Sequence, residues 1–396
     1  MENYKLACEK LKKYKQEHII DYLDNLDNKP KEELLEQILK LDFDLITKLY
    51  EDTKKTQEIH SGNIEPINYI NKENILQDEV EELETLGSKI IENDQYAVIT
   101  MAGGQGTRLG FNGPKGTYKL DIGKNGKFIF EILAETLKKS KEKYGVIPYW
   151  YIMTSKQNNS QTISFFKEHS FFGIDENRVE FFIQGELPQL TMEGKMVIED
   201  GKIKMASNGN GSIYQSLKND KMIDDMKKNN VKWIYISGVD NIMVKPIDAL
   251  FLGLTVKNKM QLASKSVAKG YPEEKVGVFC KRDGKPSIVE YIELTENMRT
   301  LKNDAGDLAY GDANIISHLM SLDAIEKIAN KRLRYHVAVK NNLYKFEAFI
   351  FDGFEFLDNM LVMRVKREEE FAPIKNKEGL DSPKTAKEIY ERYQNI

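Results

Sequence analysis

Residues 103–116 read GGQGTRLGFNGPKG, six glycines in fourteen positions with two cations, Arg108 and Lys115, seven residues apart. Glycine lets a backbone take up positive φ and brings consecutive N–H groups close to oxygens that a Cβ would hold away, so the stretch suits a phosphate ligand. Arg108 can offer a planar fork to two phosphate oxygens and Lys115 a compact point charge, which fits a triphosphate better than a neutral metabolite. Competing motifs fail. A Walker A loop needs Gly-Lys-Ser/Thr, a triplet absent from the chain. A dinucleotide fingerprint begun at Gly104 meets Leu109 where its last glycine should stand.

Further chemistry-bearing residues follow. The stretch YISGVDN delivers Asp240 and Asn241 behind an apolar run; a carboxylate at a strand end facing a phosphate loop can hold magnesium, and can equally cap a turn. Asn208-Gly209-Asn210-Gly211-Ser212 is a second glycine-rich element, able to read a base or a sugar hydroxyl or to form an ordinary tight turn. Gln184 carries a donor and an acceptor that could meet a uracil edge, or be a polar strand end. Spacing says nothing of Glu290 and Asn314, and reads Lys375 as a surface lysine.

These residues need a scaffold that puts them on one edge. From about residue 93, short apolar runs near 96–101, 147–153, 179–184, 232–238, 260–264 and 276–280 alternate with amphipathic stretches near 128–143, 160–169 and 213–229. That alternation predicts an α/β fold, a mostly parallel sheet with helices on both faces. Ligands of such sheets bind beyond the carboxyl ends of the strands, and Gly103, Gln184 and Asp240 all fall there. Ahead of the sheet, residues 1–92 carry helical periodicity, clearest over Lys31–Tyr50, and form an expected N-terminal helical region. A catalytic domain over 93–345 and a C-terminal segment over 346–396, with a helical tail from Pro383, complete the expected organisation.

Composition excludes several classes. With 396 residues, 58 Lys+Arg against 62 Asp+Glu and a net charge of −4, the chain has length for about two to three domains and no basic excess for a nucleic-acid partner. No apolar stretch approaches the length of a membrane span and the N-terminus lacks an apolar leader core, so a soluble, cytoplasmic protein is expected. Cys8 and Cys280 are too few for a disulfide framework, and the five histidines are scattered without an HExxH or GxSxG pattern.

Taken in order, AGGQGTRLG with PKG, YIMTS at 151–155, FFIQGELP at 181–188, NGNGSIY at 208–214, VDNIMVK at 239–245, GVFC at 277–280, IVEYIEL at 288–294, ANIISH at 313–318 and EFAPIKN at 370–376 resemble the blocks of the eukaryotic-type UDP-N-acetylglucosamine pyrophosphorylases, within the wider UDP-sugar pyrophosphorylase group. The resemblance implies a nucleotidyltransferase-type sheet and transfer of UMP from UTP to a sugar 1-phosphate. It implies that Arg108, Lys115 and Lys375 hold and neutralise the phosphates and that Asp240 binds Mg2+. Gly103 with its neighbour Gly104, Gln184, Met205 and Gly209 would line the uridine; Asn210, Gly277, Glu290 and Asn314 would hold the sugar. N-acetylglucosamine 1-phosphate is the expected acceptor. Glucose 1-phosphate or a mixture of sugar phosphates is the alternative within enzymes, and a non-catalytic UDP-sugar-binding regulator the alternative outside them. A monomer or weak homo-oligomer is expected. Two departures stand out: Ser212 occupies a position where the family often has glycine, and the chain ends soon after Lys375, so the C-terminal β domain of longer members is expected to be absent.

Overall fold

The computed structural model describes residues 2–55 and 62–393, which form two compact units. The larger unit comprises Gly62–Gln184, Ile213–Arg332 and the chain from Phe351 onward. Its frame is an eleven-stranded sheet among the described residues. The strands are β1 (Ile64–Pro66), β2 (Ile70–Asn71), β3 (Tyr96–Met101), β4 (Tyr149–Thr154), β5 (Val179–Ile183), β6 (Trp233–Gly238), β7 (Leu262–Ala268), β8 (Val278–Arg282), β9 (Lys285–Val289), β10 (Asp312–Ser321) and β11 (Leu361–Val365).

The main path runs β2-β11-β7-β10-β6-β3-β4-β5. Strands β6, β3, β4 and β5 are mutually parallel, as are β7, β11 and β2. Between these blocks β10 runs antiparallel to both β6 and β7, and β8 with β9 adds a hairpin alongside. β3 is buried along its whole length, as a strand covered on both faces must be, which is why YAVITM reads as an unbroken apolar run. The chain goes outward from β3 to β4 and β5, then returns to place β6 on the other side of β3. A reversal of this kind is where open α/β sheets place their ligand crevice, here at the carboxyl ends of β3 and β6. One core, from Leu83 on the helix Gln77–Glu92 to Tyr390 on Pro383–Tyr393, packs around the sheet.

Two helical expectations are refined. The stretch 213–229 is not one helix: Ile213–Asn219 and Met222–Lys228 are separated at Lys221, whose φ is 61°. Asp220 at the break accepts the Ile183 N–H at 2.9 Å and so closes the end of β5. The periodic stretch Lys31–Tyr50 likewise divides into Asn28–Lys40 and Phe43–Lys54, because Asp42 caps the second helix through the Leu45 N–H at 2.9 Å.

The smaller unit joins the N-terminal helices to Gly185–Ser212 and Leu333–Ile350. Its core puts Leu34, Ile38 and Ile46 of the helices together with Leu187, Leu190, Ile203 and Phe346. Gln37 ties helix to strand with paired bonds to the Ile203 backbone, 2.8 and 2.9 Å long. Among the described residues no helix is long and apolar enough to cross a membrane.

Candidate active site

Beyond Met101 the backbone of β3 turns into the glycine loop, which folds back on itself. Gly106 donates to Gly113 O at 2.9 Å, Gln105 bridges Pro114, and the Lys115 N–H reaches Gly104 O at 3.1 Å, so Lys115 returns to the head of the loop. Asn158, fully buried, steadies that head: its Nδ2 donates to Ala102 O at 3.0 Å and Gly104 O at 3.4 Å, while its Oδ1 accepts the Ser155 N–H at 2.8 Å. No motif marked Asn158; an asparagine just ahead of a helix reads as a helix cap.

Gly103 is glycine for a reason of space. A Cβ there would fall 2.3 Å from Oε1 of Gln184, far inside contact distance, so any side chain would displace that glutamine. Gln184 itself is buried at the end of β5, its N–H bonded to Thr154 O at 2.7 Å.

Across the crevice β6 delivers Asp240. Its Oδ2 stands 3.7 Å from Lys115 Nζ, with side chains that remain partly exposed, 15% for Lys115 and 28% for Asp240. Burial depresses the Lys115 pKa below the ordinary lysine value; Asp240 opposes this, while Arg108 and Lys375 push the same way as burial. The charges of Arg108 and Lys375 thus add to that of Lys115, and Asp240 opposes them. Lys375 arrives on the C-terminal segment: Pro373 bridges Asn241, and the Ile374 N–H donates to Asp240 O at 2.9 Å. Its ammonium is 3.2 Å from Asp381 Oδ2 with the side chain 43% exposed. Among the described residues no group of three or more His, Cys, Asp or Glu side chains could hold a metal. A divalent ion here would rest on the Asp240 carboxylate and on oxygens carried by substrate and water, which is the donor set magnesium accepts.

Gly277, Glu290 and Asn314 form a second group in the same unit. The Asn314 N–H donates to Gly277 O at 2.9 Å, and a Cβ on Gly277 would stand 2.8 Å from Glu290 Oε1. Asn314 lies where β10 passes the carboxyl end of β6, since Ser237 pairs with Ser317. There β10 bulges: Ser264 faces His318 and Ser266 faces Asn314, with Ile316 held at φ 53°, costly for a β-branched residue. Asn314 Oδ1 accepts the Ile316 N–H at 2.9 Å, which leaves its NH2 to offer a ligand.

Met205, Gly209 and Asn210 belong to the smaller unit. Met205 starts a strand paired with Glu186–Pro188. Gly209, at φ 89°, sits so close to the chain that a Cβ would be 2.1 Å from Ala348 O. Asn210 Oδ1 accepts the Ile350 N–H at 2.9 Å, and the Ser212 hydroxyl closes the loop onto Gly209 O at 2.8 Å. Serine at this position thus adds a bond that glycine could not make.

The chain is similar to known proteins over most of its length. The family model described as UTP–glucose-1-phosphate uridylyltransferase matches residues 39–381. UDP-N-acetylglucosamine diphosphorylase 2 of Arabidopsis thaliana is 35% identical, over 97% of this chain and 82% of its own length. UDP-N-acetylglucosamine pyrophosphorylase of Saccharomyces cerevisiae is 32% identical, over 93% and 85%. The crystal structure of the uridine diphosphate N-acetylglucosamine pyrophosphorylase from Trypanosoma brucei superposes with a TM-score of 0.85 at 27% identity, covering 98% of this chain and 84% of that one. A glycine loop on the expected sheet edge, answered by a carboxylate and three cations, in a chain matched over nearly its whole length, makes this protein a member of the UTP–glucose-1-phosphate uridylyltransferase family of UTP-dependent nucleotidyltransferases.

Proposed function

We propose that the protein transfers UMP from UTP to N-acetylglucosamine 1-phosphate, forming UDP-N-acetylglucosamine and pyrophosphate. A phosphate oxygen of the sugar phosphate attacks the α-phosphorus of UTP; the new O–P bond forms as the bond to the β-phosphate oxygen breaks, and pyrophosphate leaves. The nucleophile arrives already ionised. No general base is required, and the task is to align two anions and neutralise charge that would otherwise keep them apart.

The observation that carries this reading is the convergence of Lys115, Arg108 and Lys375 beside Asp240. Arg108 and Lys115 hold the triphosphate over the glycine loop, and Lys375 meets charge shifting toward the leaving pyrophosphate. Each contributes on the order of 10²-fold by meeting charge that develops during transfer. Asp240 would hold Mg2+, which when bound supplies positive charge to the phosphate oxygens. Within the larger unit Gly103, Gly104 and Gln184 receive the uridine, and Gly277, Glu290 and Asn314 receive the sugar. The committed oxygen of Asn314 supports an acceptor on the sugar, such as the acetamido carbonyl, as the group it meets. The names of the Arabidopsis and yeast relatives favour the acetamido sugar. A cytoplasmic location belongs to the same proposal.

The test is steady-state kinetics with UTP, Mg2+ and a panel of sugar 1-phosphates. N-acetylglucosamine 1-phosphate is expected to be used at least as well as glucose 1-phosphate. A kcat/KM about tenfold higher for glucose 1-phosphate would transfer the assignment to that acceptor.

A further inference from the structure

Asn241, beside the carboxylate Asp240, is 3% exposed, and its side chain faces the C-terminal segment instead of the crevice. Its Nδ2 donates to Glu370 O at 2.7 Å, and its Oδ1 accepts the Ala372 N–H at 2.9 Å and the Met243 N–H at 3.2 Å. Around it the two chains pair like a short ladder: Ile242 donates to Ala372 O at 3.4 Å and Ile374 to Asp240 O at 2.9 Å, with Asn241 opposite Pro373. Asn241 and Pro373 face each other as a non-hydrogen-bonded pair, a position where a proline costs the ladder no bond, and the amide side chain of Asn241 adds three bonds to the two made by the backbone. Upstream, Glu370 is anchored a second time, its carboxylate 2.6 Å from the fully buried Lys265. Downstream the segment carries Lys375, one residue past Ile374.

We propose that Asn241 is a positioning residue that fixes the segment bearing Lys375 against the loop bearing Asp240, so that ammonium and carboxylate face one phosphate group in a set geometry. The inference rests on the reading that Lys375 acts on the phosphates. Its reach is physical: Lys375 has a long, half-exposed side chain paired with Asp381 at 3.2 Å, and the backbone of the segment sets where that pair is delivered. A misplacement of the order of 1 Å in such a group costs about 10²-fold in rate. The nucleotide loop does not depend on this contact, since its closure is internal.

The experiment is a double-mutant cycle on kcat with UTP, N-acetylglucosamine 1-phosphate and Mg2+, using Asn241→Ala, Lys375→Ala and the double variant, with thermal melts alongside. Asn241→Ala is expected to lower kcat at least about tenfold with KM for UTP within about threefold, and to lower kcat by less than about twofold when Lys375 is already alanine. Asn241→Ser shortens the side chain and weakens its hold on Glu370 O and Ala372 without burying a charge; it is expected to fall between wild type and Asn241→Ala and serves if the alanine variant does not fold. Two losses that multiply would overturn the positioning role, and so would a wild-type kcat in Asn241→Ala. An unchanged kcat in Lys375→Ala alone would instead overturn the reading on which the inference rests.

Discussion

Two lysines of the larger unit, each beside an aspartate, are put to opposite uses. Lys265 is fully buried, 2.8 Å from Asp248 and 2.6 Å from Glu370, with Lys72 3.8 Å from each carboxylate. Lys115 is partly exposed and stands 3.7 Å from Asp240. Burial acts to lower both pKa values, but around Lys265 the two carboxylates outweigh it and hold the ammonium above the usual lysine range, whereas Lys115 ends below it with Arg108 and Lys375 adding to the effect. Asp248 mirrors its partner: burial pushes it up, yet Lys265 and Lys72 hold it well below the usual carboxylate range. One set of charges is matched within the protein. The other is left with excess positive charge that a polyphosphate would answer.

The contrast can be broken most forcefully at the buried set. Lys265→Met leaves Asp248 and Glu370 without their main counter-charge, and a loss of about 3–5 kcal/mol is expected in urea unfolding. A loss under about 1 kcal/mol would show that the cluster is not structural. For Lys115→Met the expectation reverses: stability stays within about 1 kcal/mol of wild type, because a disfavoured charge is removed, while kcat falls about 10²-fold. If Lys115→Met unfolds the protein and spares turnover of the folded fraction, the two lysines have been assigned the wrong way round.

Smaller effects sharpen the same line. Asp240→Asn keeps volume and fold but is expected to lower turnover about tenfold and to shift the Mg2+ concentration needed upward. A superimposable Mg2+ titration would remove Asp240 from the site. His318 lies on the structural side: buried on β10, with Nδ1 2.7 Å from Ser264 Oγ, its imidazole is pushed by burial down to about 3. Because the folded value lies below the unfolded one, neutral His318 is favoured on folding. Its contribution is present above about pH 6.5 and declines as pH falls toward 3, by at most about 1.4 kcal/mol per pH unit. Urea midpoints of wild type and His318→Asn between pH 7 and 5 check this; parallel slopes would contradict it.

Much of the contrast's exposed half was legible in the sequence. Glycines, two cations and a strand-end aspartate carry their chemistry in their types and in their order relative to apolar runs, and β3, β4, β5 and β6 fall where periodicity put them. The buried half was not. Lys265 sits in QLASKSVAKG and Glu370 in a run of charges, and nothing local distinguishes a charge that will be enclosed from one that will be solvated. Burial is decided by partners more than a hundred residues away, as Lys265 and Glu370 are. Lys375 shows the same limit: spacing gave a surface lysine, and only family blocks suggested more. The smaller unit was equally hidden, since periodicity does not reveal that helices before residue 55 share a core with Leu187, Ile203 and Phe346. The division of 213–229 at Lys221 escaped for the opposite reason, an apolar period that runs unbroken across a turn.

On the proposed function, the positive excess around Lys115 serves transfer of a uridylyl group and neither simple binding nor hydrolysis. A single-turnover reaction with UTP labelled at the α-phosphate, Mg2+ and N-acetylglucosamine 1-phosphate addresses it directly. The label is expected to move into UDP-N-acetylglucosamine with one pyrophosphate released per label transferred, and to stay in UTP when the sugar phosphate is withheld. Label that remains in UTP with the acceptor present, or that emerges as free UMP, would contradict the assignment.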